Sequence, residues 1–181
     1  MTDAELKLEE YKIVRAELEK QHGSRDTAFV LSLTVGLSIL AYAIQAERAP
    51  GILFVFPLLV FLTLYVHYVY RRLLALKADA YIRVFLEEEL RAVAWHRQKA
   101  NFRIGLIYRL NQYMISAVFL ALVGGNLYYI FERLQFRYFV VVSPLAVIIM
   151  LVAMTEYFRD SYSRFYAEFE KKRDQDRTSM T

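Results

Sequence analysis

Four stretches of this chain are apolar, carry no charge in their interiors and are long enough to cross a bilayer: 27–46, 52–70, 112–131 and 138–157. A helix needs about 20 mostly apolar residues to span ~30 Å of hydrocarbon, and soluble cores rarely hold four such runs. The composition is consistent with this reading only if apolar and charged residues are segregated. Of 181 residues 57% are hydrophobic, yet 23% are charged. The opening, MTDAELKLEEYK, is too charged for a cleaved signal, which needs an apolar run of ~7–15 residues behind a basic start. The first apolar run therefore reads as a retained span.

Two of the links are short. ERAPG (47–51) joins the first pair of runs and ERLQFR (132–137) the second, so each pair reads as an antiparallel hairpin. The segment between the hairpins, 71–111, is long and polar. Lys and Arg are distributed unequally: five in 1–26, nine in 71–111, six after residue 157, and three in the two turns together. By the positive-inside rule both termini and the middle segment are cytoplasmic. The expected fold is an all-α integral membrane protein of four transmembrane helices in two hairpins, with helical extensions forming a cytoplasmic bundle. Its parts are an amphipathic helix (1–26), a first hairpin (27–70), a basic helical segment (71–111), a second hairpin (112–157) and an aromatic-seam helix with a polar tail (158–181). Tyr65, Tyr68, Tyr70, Tyr108 and Tyr113 fit one interfacial aromatic belt, and Tyr128, Tyr129 and Tyr138 the other.

No Gly or Pro interrupts 58–103, so the second span reads on as a helix, with a turn expected at Glu87-Glu88-Glu89. Phe158, Tyr162, Phe165 and Phe169 are spaced four, three and four, an aromatic seam on a helix continuing from the fourth span. Leu8, Tyr11, Val14 and Leu18 form one side of the N-terminal helix, and Gly23 offers it a C-terminal stop.

Chemistry is sparse. Without cysteine, disulfides, thiolate metal sites and cysteine nucleophiles are excluded. The three histidines have no metal-ligand spacing; His67, among tyrosines, reads as a packing residue or a pH sensor. No phosphate loop, H-E-x-x-H or G-x-S-x-G occurs, so no catalytic residue, metal or cofactor is expected and the chain reads as a non-enzyme. The spans lack the buried charges of coupled transporters. On an ideal helix Thr34, Ser38 and Gln45 fall with Thr27 and Ala41 within about 60° of one another, a face that suits a wet pore or close helix packing. Ser32 and Gly36 offer a separate close-approach face opposite. Arg71, Arg72 and Lys77 stand where anionic lipid head groups lie. Arg83, Arg97, Lys99 and Arg103, interleaved with Tyr81 and Trp95, suit a phosphate and a base, or a protein partner.

The run Tyr81-Ile-Arg-Val-Phe-Leu-Glu87, behind the basic end of a membrane hairpin and ahead of Trp95, resembles a stretch of small multi-pass bacterial membrane effectors from anti-phage defence operons, of the SLATT and Hailong kind. The resemblance implies a homo-oligomeric channel or membrane disruptor in the bacterial inner membrane, held closed until a nucleotide or oligonucleotide signal changes. The other reading is a non-conducting scaffold or anchor whose aromatic tail and basic segment recruit a cytoplasmic protein.

Overall fold

The computed structural model describes residues 3–46, 51–86, 105–133, 136–159 and 161–179, which are almost entirely helical and include no strand. In chain order they form α1 (Asp3–Leu31), a π segment (Ser32–Gly36), α2 (Leu37–Gln45), a 3-10 turn (Gly51–Phe54), α3 (Val55–Tyr81), a second π segment (Ile82–Leu86), α4 (Gly105–Arg133), α5 (Phe136–Phe158) and α6 (Ser161–Ser179). Four stretches, Glu5–Gln45, Val55–Leu86, Tyr113–Glu132 and Phe139–Phe158, are long and apolar enough to cross a membrane. The chain is an all-α, multi-pass membrane protein.

Contacts divide it into two compact units. The polar unit comprises Met1–Gly23, Arg71–Gly105 and Arg159–Thr181; the apolar unit comprises Ser24–Tyr70 and Leu106–Phe158. The divisions thus fall after residues 23, 70, 105 and 158, where the sequence suggests 26, 70, 111 and 157.

In the apolar unit, lipid tails are as apolar as the side chains, so helices are held by shape and by the few polar bonds available. On α4 the buried residues Ser116, Phe119, Val123, Asn126 and Ile130 alternate spacings of three and four, one face of a helix. Phe119 is the centre: the rings of Tyr65, Phe29 and Tyr68 lie 4.6, 5.8 and 6.1 Å away. The Tyr65 hydroxyl lies 3.4 Å from Ser116 Oγ. Tyr65 and Tyr68 are therefore core residues, which corrects their expected place in an interfacial belt. A ring with a polar tip can be buried where that tip finds a partner. Tyr70, Tyr113 and Tyr128 are exposed, and the side chains of Tyr108 and Tyr138 lie outside the described residues. The first helix buries Ala28, Ser32, Gly36 and Ala43. A methyl group at Gly36 would run into the Phe61 ring, so only glycine admits this approach. On α5, Ala146, Met150, Ala153 and Tyr157 face inward while Val141, Leu145, Ile148 and Val152 are exposed, as a lipid-facing side requires.

The polar unit has a water-excluding core of Leu18, Ala75, Ile82 and Leu86, with Tyr11, Val14, Ala78, Tyr81 and Phe85 packed against it. Here burial itself is favourable, at roughly 25 cal/mol per Å² of apolar surface. Leu8 is exposed. Gly23 does not end its helix: α1 runs through it to Leu31, with no positive φ among the described residues. A glycine inside a helix costs about 1 kcal/mol relative to alanine, which the turns on either side outweigh. The aromatic seam is also divided. α5 ends at Phe158 and α6 begins at Ser161, whose backbone N–H and hydroxyl both turn back to the Arg159 carbonyl, at 2.7 and 3.4 Å. Phe158 packs in the apolar unit on Tyr157 and Tyr113, at 5.1 and 5.2 Å. Phe169 meets Tyr81 and Phe85 in the polar unit, at 5.6 and 5.9 Å. The turn expected at Glu87–Glu89 lies outside the described residues.

Candidate functional site

Two neighbourhoods hold the residues that sequence singles out, one in each unit. In the apolar unit Thr34, Ser38 and Gln45 are all exposed, as are Thr27 and Ala41, whereas Ser32 and Gly36 are buried. Close packing within the unit is thus the work of Ser32 and Gly36, and the polar face turns away from its own unit. Local chemistry explains part of this arrangement. A π segment shifts the backbone ladder and alters which carbonyls meet an N–H. Hydroxyls around it donate to carbonyls of the same helix: Ser32 Oγ to Phe29 (2.7 Å), Thr34 Oγ1 to Val30 (3.0 Å) and Ser38 Oγ to Thr34 (2.6 Å). Each hydroxyl oxygen retains acceptor capacity for a water or a neighbouring chain.

The basic residues after α3 leaves its apolar run are placed differently from one another. Arg71 Nη1 donates to Gln21 Oε1 at 2.9 Å, and Gln21, 3% exposed, donates from Nε2 to Glu17. Arg72 is 9% exposed. Lys77 is on the outside. Of the three side chains expected at lipid head groups, the two arginines are turned into the protein, where a charge needs hydrogen-bonding partners.

Farther along, Tyr81 and Arg83 are brought among residues of α1 and α6. The Tyr81 hydroxyl donates to Glu10 Oε1 at 2.5 Å. Burial, then the hydrogen bond to Glu10 and its negative charge, push that hydroxyl up to about 12. Arg83 is exposed; its Nη1 donates to the Tyr162 hydroxyl at 3.2 Å, and its Cζ lies 5.3 Å from the Tyr166 ring centroid. Burial raises the Tyr162 hydroxyl from its ordinary value, and Arg83 opposes that shift. Tyr162 and Tyr166 stack at 6.3 Å. The guanidinium is thus held by one tyrosine hydroxyl and over the face of a second tyrosine ring. Trp95, Arg97, Lys99 and Arg103 lie outside the described residues.

Several polar residues of these neighbourhoods escaped the sequence reading. Arg173 donates to the Val84 carbonyl, inside the second π segment, at 3.3 Å. Ser24, likewise, has its Oγ 3.3 Å from Nε2 of His67, a residue that the sequence does single out. Asn126 is buried in the third membrane-length helix; its place on a three-four seam with Phe119 and Ile130 was the available signal. Among the described residues no three His, Asp or Glu side chains come together as a metal site. No protein-family model, no curated protein and no solved structure matches this chain.

Proposed function

We propose that the chain is a homo-oligomeric membrane effector that conducts ions or disrupts the membrane. In this reading it is controlled through its basic polar unit by an anionic ligand, a nucleotide or oligonucleotide, in the manner of the bacterial anti-phage effectors it resembles. Both termini and the polar unit are cytoplasmic, and the protein works without catalysis. One observation carries this reading: Thr34, Ser38 and Gln45 are exposed on a membrane-length helix whose packing face is elsewhere. Polar groups at that depth are better placed against water or a second copy than against lipid tails. Arg83, bonded to the Tyr162 hydroxyl and set over the Tyr166 ring, supports the ligand half.

The test is ion flux through purified protein in liposomes, with its mass measured in detergent. A discrete oligomer should carry flux that Thr34→Leu with Ser38→Leu abolishes while assembly persists; undiminished flux in the double variant removes the pore assignment. Charge reversal at Arg83, Arg97 and Lys99 should weaken nucleotide control of that flux.

The other reading, a non-conducting scaffold that recruits a cytoplasmic protein, is favoured by a separate observation. Thr34 and Ser38 already donate to carbonyls of their own helix, which lets hydroxyls sit in lipid without water. A tight assembly that passes no ions with or without added nucleotide would select it.

A further inference from the structure

The buried seam of α4 carries one carboxamide. Asn126 is 0% exposed, between Val123 and Ile130 on the same face. Neither its Nδ2 nor its Oδ1 reaches a hydrogen-bond partner among the described residues. A primary amide brings two donors and an acceptor with two lone pairs, and leaving all of them unmet in an apolar interior is strongly unfavourable. Within a membrane span that cost is not relieved by bulk solvent.

The surroundings can be read from contacts on either side. Tyr65 meets Ser116 and Phe119, and Phe54 stacks on Tyr129 at 5.9 Å. The α3 position rises as the α4 position falls, so the two helices run antiparallel and Asn126 falls opposite Pro57 and Leu58. Both are buried, and neither side chain can hydrogen-bond. An amide lacking partners thus stands at an otherwise apolar level of the unit.

We infer that Asn126 binds ordered water inside the apolar unit, through both its Nδ2 and its Oδ1. Buried waters occur where they can make two to four hydrogen bonds to groups that otherwise have none. The site is independent of conduction and belongs equally to a channel or a scaffold.

The experiment is water-edited solid-state NMR on the uniformly ¹⁵N-labelled full chain in bilayers with deuterated lipid chains. The chain has three asparagines, at 101, 111 and 126, so Asn126→Leu assigns the side-chain resonance by its loss. Asn126→Gln, which retains an amide, assigns it by displacement if the leucine variant does not fold. Water magnetisation should reach Asn126 Nδ2 clearly faster than the backbone amides of Val123 and Ile130. Build-up no faster than theirs means a dry amide and overturns the inference, as does a direct hydrogen bond from Nδ2 to a protein carbonyl.

Discussion

Helices α1 and α3 each lend residues to both units, but what holds them changes along their length. In the polar unit they bury Leu18, Ala75, Ile82 and Leu86 from water and add polar pins at the rim: Tyr81 to Glu10, Arg71 to Gln21, Arg83 to Tyr162. In the apolar unit the same helices have no water to escape. Rings gathered on Phe119 and the contact of Gly36 with Phe61 fix their positions instead. The difference teaches that equal burial does not mean equal stabilisation. In water a buried side chain contributes transfer energy and packing; in lipid it contributes packing alone.

A matched pair of truncations tests that statement with the largest effects. Ile82, fully buried in the polar unit, and Leu58, 1% exposed in the apolar unit, both lose their branches on substitution by alanine. Ile82→Ala should cost about 3 kcal/mol, since transfer and cavity terms both apply. Leu58→Ala should cost about half as much, because the separated helix keeps its leucine in hydrocarbon and only the cavity term remains. Local hydrogen exchange in each unit reads the two losses separately; equal losses would sink the distinction.

The glycines give the next contrast. Gly36→Ala forces a methyl group into Phe61 and should destabilise the apolar unit by about 2 kcal/mol, in the range of overpacked cores. Trimming the ring with Phe61→Leu should recover part of that loss. At Gly23 and Gly125 a side-chain methyl would meet nothing within 4 Å. Gly23→Ala should therefore stabilise α1 by roughly 0.5–1 kcal/mol, by removing backbone freedom from the unfolded chain. Denaturation midpoints decide both signs, and a loss at Gly23 would mean that α1 is not continuous there.

Much of this architecture was legible because partition between water and lipid is written along the chain as runs. The four spans and the hairpin pairing needed only run length and link length. Ser32 and Gly36 on one side and Thr34, Ser38 and Gln45 on the other needed only helical phase, and their burial follows that division. What was not legible depends on partners distant in sequence. Tyr65 and Tyr68 look interfacial until Phe119 and Ser116 are placed beside them. Gly23 resembles a stop because its local preference is visible and the stability of the flanking turns is not. The break after Phe158 turns on one carbonyl, that of Arg159, bonded locally by Ser161. Around Arg83, spacing placed Tyr81 and Arg83 together but gave no sign that Glu10, Tyr162 and Tyr166 would meet them.

The smallest expected effect separates the polar pins from the core they surround. The Tyr81 hydroxyl titrates near 12 in the folded chain against an ordinary value of 10.0. Folding thus favours the protonated form. Below about pH 10 both folded and unfolded chains hold the proton and the contribution is complete. As pH rises from about 10 toward 12 the unfolded chain loses its proton first, so folded stability falls across that window. Tyr81→Phe keeps the ring contacts with Phe85 and Phe169 but has no proton to lose, so its unfolding midpoint should decline less steeply over the same range. Because Tyr81 is only partly buried, water screens the interaction and the difference in slope should be modest. Parallel slopes for the two proteins would show that the Glu10 contact does not persist in solution. The polar unit would then rest, at this point, on the burial of its core from water and not on the pin.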